Sequence, residues 1–474
     1  MLSEVERLAG ECARAAAPGE LGARVERHLL SALVCLGQHT LTGHLATAGR
    51  QFVDWTADYR LYSRERFDSH ALLGRLRQEV ASLIPKGLPL VVALDDTRVR
   101  KSSLRTAGVS YQRDPLGPAF QVNLILAQRF VQQSMAYTDG SGAARLVPID
   151  FVHAPLPKKP RRQAEDGEWE AYRQAKREQS LGQVGGRRLL LLRRELDEQP
   201  DTRERRLVSV VDGGYTNGGF LHTVPERSCV IGRIRSDAKL YQLPPAPSGR
   251  GRHRSYGAPA ATPEQLRADE AVPWQTIRIQ LGGAVRDVRV KTLGPLRWRA
   301  TGARQDLRLV VIAPTGYQLG KQGRRLYRQP AYLICTDPAM DVAEIVQDYC
   351  WRWGIEVNFR DEKTLIGVGQ AQVQHPCSVE SVPALSVAAY GILLAAALKL
   401  YGLAGNSLQL QPPKWQGRRK TRATLRQLIS LLRQELWGQS IINSHFVTRP
   451  GQYTKCEKNT PDLASALFYG AACA

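Results

Sequence analysis

The sequence predicts an α/β protein, because buried strands and amphipathic helices follow one another along most of the chain. Two short, continuous apolar runs, residues 88–94 and 207–211, have the composition of strands buried on both faces. A third region, residues 229–336, shows the period-two alternation of further strands. Residues 1–85 instead carry apolar side chains at helical spacing. We therefore expect a central sheet preceded by a helical unit.

Positive charge dominates the composition. The 474 residues include 66 lysines and arginines against 44 acidic residues, a formal net charge of +22. Such an excess favours a nucleic acid as the partner, and an anionic membrane surface less strongly. The eight cysteines include no CxxC pair. Their scatter argues against structural zinc and against a disulfide framework, and it fits a reducing cytoplasm.

Neither the opening residues nor the longest apolar run predicts membrane insertion. Residues 1–19 are acidic and amphipathic, unlike a signal sequence. The run at residues 382–398 is short for a membrane span and contains Pro383, Ser386 and Gly391. We expect a buried helix there, and a cytoplasmic protein with no membrane segment.

Aromatic and basic side chains alternate within the helical unit. Its aromatic members are Trp55, Tyr59 and Tyr62, and the arginines between and after them stand at positions 60, 64 and 66. Such aromatics either stack on bases while the arginines hold phosphates, or lie buried while the arginines face solvent. The two interpretations have similar weight.

Aspartates follow the two apolar runs. The first run ends in Asp95 and Asp96, and the second ends in Asp212, followed by two glycines. A single aspartate at a strand end usually serves as a turn or cap residue, but two on neighbouring strands can present carboxylates from a rigid scaffold. Only one of Asp95 and Asp96 can face the same site, because adjacent strand residues point to opposite faces.

The β-rich region contains strand patterns at residues 276–281, 285–290, 307–312 and 331–335. Gly282 and Gly283 between the first two predict a hairpin turn. Trp274 and Trp298 lie in this region as well. They are more simply explained as core residues than as platforms for an extruded base.

Four residue types recur at defined spacing after the β-rich region: Tyr349, Arg352, Glu356 and Lys363. On one α-helix their side chains fall within about 60° of arc and extend along about 21 Å. The simpler alternative is a solvated, charged helix face that happens to include a tyrosine. The pattern Tyr-x2-Arg-x3-Glu-x6-Lys nevertheless resembles the signature of DDE-type bacterial insertion-sequence transposases, in the insertion-sequence-four family or its near relatives.

The resemblance implies a domain organisation. It covers roughly residues 88–400 and implies a ribonuclease-H-like core in two parts, at residues 86–228 and 337–405. The β-rich residues 229–336 would be an insertion between these parts. Residues 1–85 would form a helical DNA-binding domain, and residues 406–474 a basic helical tail.

The same resemblance implies roles for individual residues. Asp95, Asp212 and Glu356 would be the three catalytic acids and would hold two Mg²⁺ or Mn²⁺ ions, for which oxygen ligands are suited. Asp95 fits the family's Asp-x-Thr pattern, and Asp96 stays open as the alternative. The residues that would contact DNA phosphates are Tyr349, Arg352 and Lys363.

The implied activity is DNA transposition. Such an enzyme binds element ends, cleaves them and joins them to target DNA, by a cut-and-paste route with or without hairpinned ends, as a homodimer on paired ends. Two alternatives remain open from the sequence. One is a metal-dependent nuclease of the same fold, and the other is a non-catalytic DNA-binding protein derived from a transposase.

Overall fold

The computed structural model describes most of the chain and leaves several stretches outside the description. The described residues are 1–114, 117–118, 120–246, 253–302, 305–317, 323–324, 326–403, 422–443, 463 and 466–467. Most of the predicted basic tail, residues 406–474, therefore lies outside the described residues.

Five helices open the chain: α1 (Leu2–Ala16), α2 (Gly19–Val34), α3 (Leu41–Thr47), α4 (Thr56–Ser63) and α5 (Ser69–Leu83). Asp68 begins α5 by accepting hydrogen bonds from the amides of the first turn. The aromatic residues of α4 and its start divide between core and surface. Tyr62 is 1% exposed and packs in the core, whereas Trp55 is 54% exposed. Stacking on DNA is thus open to Trp55 but not to Tyr62.

Six strands build the first half of the sheet: β1 (Leu90–Arg100), β2 (Ser110–Arg113), β3 (Leu124–Tyr137), β4 (Arg145–His153), β5 (Leu207–Val211) and β6 (Ser228–Arg233). β3 runs antiparallel to β1 and β4, and β5 runs parallel to β1 and β6. The prediction that the first strand ends at residue 94 was wrong, because β3 continues to pair with β1 as far as Arg100.

The region between β4 and β5 is helical, with α6 (Asp166–Glu178) and α7 (Leu181–Glu198). α8 (Gly218–Leu221) follows β5. No side chain of α6 is buried, whereas α7 buries a stripe that includes Leu189, Leu192 and Leu196. α7 is therefore the helix of this region that packs on the sheet.

The β-rich region joins the same sheet. Its elements are β7 (Leu240–Gln242), α9 (Pro263–Ala268), β8 (Gln275–Leu281), β9 (Ala284–Trp298), β10 (Leu307–Ile312), β11 (Gly316–Tyr317), β12 (Leu326–Tyr327) and β13 (Ala331–Cys335). β13 pairs with β6, β10 with β13, and β9 with β10. Within the described residues one sheet thus connects eleven strands, from β2 to β7 and β8.

In the described residues after the sheet there are four helices: α10 (Val342–Trp351), α11 (Trp353–Thr364), α12 (Pro376–Tyr401) and α13 (Leu425–Asn443). Residues 349–363 were expected on one helix, but the hydrogen-bond ladder is interrupted at Arg352. Its amide donates to Tyr349 O at 3.2 Å and its carbonyl accepts from Ile355 N at 3.0 Å, both at three-residue spacing. Tyr349 therefore lies on a different helix from Glu356.

α12 is the helix expected from residues 382–398. It has the length and apolarity of a membrane-spanning helix, and its apolar window is entirely buried inside the fold. Its contacts with α1, α2, α4, α5 and β4 place it at the centre of the larger core. Burial inside the protein accounts for its apolar composition.

The two faces of the sheet have separate cores. Leu90, Val92 and Leu94 of β1 belong to the larger core. The alternate residues Val91 and Ala93 belong to a second core, which includes Val208 and Val210 of β5 together with residues of α10 and α11. Alternation along β1 and β5 therefore decides which polar residues face α10 and α11.

A buried carboxyl group on α10 makes a prediction about stability. Asp348 is 2% exposed, and burial and the nearby Glu344 raise its pKa to about 8. In the unfolded chain the pKa of an aspartate is near 4, so between pH 4 and pH 8 Asp348 is charged when unfolded and neutral when folded. The free energy of unfolding therefore falls as the pH rises through this range, by at most about 1.4 kcal/mol per pH unit, and is unaffected by Asp348 in acid. We expect Asp348→Asn to raise the free energy of unfolding by on the order of 2 kcal/mol at pH 8 and by little at pH 4.

Urea denaturation at the two pH values measures this difference. The matched control is Asp287→Asn, because Asp287 is an exposed aspartate on β9. An equal gain for Asp348→Asn at both pH values would contradict the assigned burial of charge.

Candidate active site

Two carboxylates lie side by side where β5 ends against β1. The parallel pairing runs from Leu90–Leu207 to Leu94–Val211, so Asp95 and Asp212 follow directly after the last pair. Both continue the alternation that directs the second core toward α10 and α11. The structure therefore brings these two predicted acids together on one face.

Asp96 points to the opposite face of β1. Its carboxylate lies 3.6 Å from Arg98 Nη1, and it contributes to the electrostatic environment of the buried Tyr215 hydroxyl. Burial raises the pKa of Asp96, and the positive charges of Arg98 and Arg129 oppose that increase. Of the two adjacent aspartates, Asp95 is the one on the side of α11.

The turn after β5 fixes the Asp212 carboxylate with a backbone hydrogen bond. Gly214 N donates a hydrogen bond to Asp212 Oδ1 at 2.8 Å. A Cβ atom at Gly214 would lie 3.1 Å from the same oxygen, tighter than ordinary packing. Glycine at this position thus lets the backbone amide approach the carboxylate.

Arg352 connects the first and third predicted acids. Its Nη1 atom lies 3.0 Å from Asp95 Oδ2, and its Nη2 atom lies 2.9 Å from Glu356 Oε1. The bridge joins the middle of β1 to the first turn of α11. The guanidinium was predicted to bind DNA phosphate, but in the structure it forms ion pairs with two carboxylates.

The electrostatic environment of Asp95 is unfavourable for its charged form. Burial and the Asp212 carboxylate raise the pKa of Asp95 to about 7, with a further contribution from Asp96, and Arg352 acts in the opposite direction. Clustered carboxylates repel one another unless a cation lies among them. The site therefore contains more negative charge than Arg352 alone compensates.

The other two residues of the spaced set, Tyr349 and Lys363, lie on α10 and α11. The Arg352 guanidinium lies 5.9 Å from the centre of the Tyr349 ring, and burial raises the pKa of Tyr349. Lys363 follows Glu356 by two helical turns, about 10 Å along the axis. Burial lowers the pKa of Lys363, and the nearby positive charges of Arg98 and Arg100 lower it further.

Arg98 and Arg100 follow Asp96 on the same face of β1, and they form ion pairs with Asp96 at 3.6 Å and with Asp114 at 2.8 Å. The sequence reasoning did not select Arg98 and Arg100, because the first strand was expected to end before them. Their alternation with Val99 was the signal that β1 continues.

The donor chemistry of the site fits Mg²⁺ or Mn²⁺. Asp95, Asp212 and Glu356 offer carboxylate oxygens, the ligands that these hard cations prefer, and burial together with the Asp212 carboxylate raises the pKa of Asp95. Arg352 currently lies between two of the three carboxylates. In the described part of the chain, no group of three or more acidic, histidine or cysteine side chains is spaced to hold an ion.

A cavity of about 870 Å³ opens beside the turn that holds Asp212. Its lining includes Gly213, Arg233, Arg235, Arg267 and Trp298. Trp298 thus borders open space. Trp274, by contrast, has Lys291 Nζ 4.8 Å from its ring centre. The sequence reasoning selected both tryptophans but did not distinguish them, and it did not select the arginines.

Removal of the Arg352 guanidinium tests its role as an internal cation. We expect Arg352→Ala to lower the free energy of unfolding by about 2–3 kcal/mol at pH 8, because two partly buried carboxylates lose their partner. The pKa of Asp95, already raised above its unfolded value, will rise further, so the loss should shrink toward pH 5, where Asp95 is neutral. Thermal unfolding across this pH range measures the effect.

Arg360→Ala is the matched control on the same helix, since Arg360 is 65% exposed and pairs only with its neighbour Asp361 in the described contacts. An Arg352→Ala loss that is independent of pH, or equal to that of the control, would contradict the internal-cation role.

Comparison with known proteins shows the family of this chain. A family model described as DDE superfamily endonuclease matches residues 20–292, more than half of the chain. The match includes Asp95 and Asp212 and ends before Glu356. No curated protein sequence matches the chain. By the family model, the chain belongs to the DDE superfamily of endonucleases.

Proposed function

We propose that this protein is a DNA transposase of the insertion-sequence-four-like group, which binds element ends, cleaves them and joins them to target DNA. The observation that carries the proposal is the meeting of Asp95, Asp212 and the Glu356 helix on one face of the sheet. Endonuclease family membership supports the reaction class, and the net charge of +22 supports a DNA substrate.

We also propose that the core is ribonuclease-H-like. The support is the strand order β4-β3-β1-β5-β6, in which the first three strands are antiparallel and the last three are parallel. The acids of such a core come from the central strand, its parallel neighbour and a later helix. β1, β5 and α11 stand in those three positions.

In this proposal Asp95, Asp212 and Glu356 hold two Mg²⁺ or Mn²⁺ ions. When bound, the ions supply Lewis-acid activation of the attacking oxygen and stabilise the leaving oxygen of an in-line displacement. Water is the nucleophile for cleavage, and the DNA 3′-hydroxyl that cleavage releases is the nucleophile for joining.

The basic and aromatic residues around the acids position the DNA. Lys363, with Arg98 and Arg100 beside it, offers charge to the backbone of an element end. The Arg352 guanidinium, which pairs with Asp95 and Glu356, has the donors to bind a DNA phosphate, and Tyr349 would pack against the backbone. The cavity at Trp298 has the aromatic and cationic lining that an unpaired nucleotide needs.

The proposed assembly is a homodimer on paired ends, acting in the bacterial cytoplasm at the nucleoid by a cut-and-paste route. A nuclease of the same superfamily would need the same three acids. Joining of DNA strands is therefore the property that separates the two activities. A non-catalytic derivative would bind the DNA without either reaction.

The test is cleavage and joining of a labelled duplex that carries the end of the element, with Mg²⁺ or Mn²⁺. We expect the wild type to cut and join the duplex. The variants Asp95→Asn, Asp212→Ala and Glu356→Ala should still bind the duplex, but their rates of cleavage and joining should be lower by roughly 10³-fold or more. Asp96→Asn is the matched control, because its carboxylate points to the other face. We expect it to keep the metal-dependent reaction.

Each contrary result has a defined meaning. Cleavage without joining favours a nuclease, and binding without any reaction favours a non-catalytic protein. Loss of activity in Asp96→Asn with full activity in Asp95→Asn would exchange the roles of these two residues.

A further inference from the structure

A buried polar cluster connects the helix of Glu356 to the strand beside Asp95. Two residues of α11, Asn358 and Glu362, face two residues of β3, Gln132 and Ser134. All four are at most 3% exposed. Gln132 Nε2 donates to Glu362 Oε1 at 3.0 Å, and the Asn358 amide lies 3.2 Å from Ser134 Oγ.

The cluster has a partner on a third element. Tyr390 of α12 donates its hydroxyl hydrogen to Asn358 Oδ1 at 3.0 Å. The contacts of Asn358 with Ser134 and Tyr390 persist if its amide is turned over. We call the five residues Gln132, Ser134, Asn358, Glu362 and Tyr390 the α11 latch.

The spacing of the latch matches the two elements. Gln132 and Ser134 are two residues apart on a strand, about 6.8 Å, and Asn358 and Glu362 are four residues apart on a helix, about 6 Å. Both hydrogen bonds therefore form in a single register of α11 along β3. If the helix slipped by one residue, these buried polar groups would lose their hydrogen-bond partners, at a cost in free energy. Apolar contacts alone would not discriminate against such a slip.

The latch also fixes the rotation of α11. Measured from Ile355, which is fully buried against the sheet, Asn358 and Glu362 lie about 300° and 340° round the helix and Glu356 lies about 100° round it. When Asn358 and Glu362 lie over β3, Glu356 therefore lies on the opposite side of the helix, toward β1 and β5. Gln132 on β3 is paired directly with Asp95 on β1, so the latch holds α11 at the same level of the sheet as the first acid.

We propose that Glu362, through Gln132, is a positioning residue that sets the place of Glu356 relative to Asp95 and Asp212. This inference rests on the proposed function, and it assigns no contact between Glu362 and DNA or metal. Burial raises the pKa of Glu362 to about 8, so its carboxyl group is neutral near pH 7 and works as an uncharged hydrogen-bonding group. The neighbouring charged or titratable groups are Lys363, Asp361 and Tyr390.

The test compares Glu362→Gln, which keeps a hydrogen-bonding group of the same shape, with Glu362→Leu, which removes it. We expect Glu362→Leu to slow metal-dependent cleavage roughly 100-fold, the effect of a misplacement near 1 Å, while DNA affinity is unchanged. Glu362→Gln should stay within about threefold of the wild type, since the hydrogen bond to Gln132 remains. Gln132→Leu should act like Glu362→Leu, and the double variant should be no slower than either.

The matched control is Glu195→Leu on α7, where Glu195 accepts a hydrogen bond from His70 in a different part of the fold. We expect it to lower the melting temperature without slowing cleavage in the folded fraction. Equal slowing in the control, full activity in Glu362→Leu, or equal loss in Glu362→Gln would overturn the positioning role.

Hydrogen exchange keeps this inference separate from the proposed function. Glu362→Leu should speed amide exchange in residues 353–364 and leave α7 unchanged, whether or not the protein cleaves DNA. A wild type without cleavage would refute the proposed function. Unchanged exchange in residues 353–364 would refute the latch.

Discussion

The pairing of β1 with β5 places two carboxylates next to each other at the point where the parallel ladder ends. Burial, together with repulsion between the two carboxylates, raises the pKa of Asp95 to about 7. Neighbouring groups stabilise these carboxylates or hold the helix that carries the third. Arg352 bridges Asp95 and Glu356, Gly214 donates its amide to Asp212, and the helix that carries Glu356 is held by buried hydrogen bonds.

The helix is interrupted at Arg352, the residue that also forms the two ion pairs. The arginine ends α10 and precedes α11, so its side chain reaches the strand as well as the first turn of the second helix. A guanidinium provides two parallel donors and can bind a carboxylate or a phosphate equally well. The same side chain can therefore serve the acids and, in the proposed reaction, the DNA.

Local patterns in the sequence predicted the elements that depend on local chemistry. The apolar run of β5 was located to the residue, and Gly282-Gly283 marked the hairpin between β8 and β9. The extension of β1 was missed because its outer half is polar and is kept in the strand by pairing with β3. The burial of Tyr62 and the continuity of the β-rich region with the main sheet likewise depend on contacts between distant segments.

In the candidate site, too, local spacing predicted some features, and others depend on contacts between distant segments. The spacing of Tyr349, Arg352, Glu356 and Lys363 singled out residues 349–363 as a candidate site. The break at Arg352 and its ion pairs are tertiary features that this spacing did not predict. Glu362 carried no signal at all, since an acidic residue beside a lysine on a charged helix normally faces solvent. Only its burial against Gln132 distinguishes it.

Iron-directed cleavage of the protein tests the central claim most directly. Fe²⁺ can replace Mg²⁺ at carboxylate sites, and with ascorbate and peroxide it cuts the nearby backbone. Three groups of cuts, around residues 95, 212 and 356, are expected, and excess Mg²⁺ and the Asp212→Ala substitution should suppress all three together. Cuts that are absent from these positions, or that persist in Asp212→Ala, would contradict a single metal site formed by the three acids.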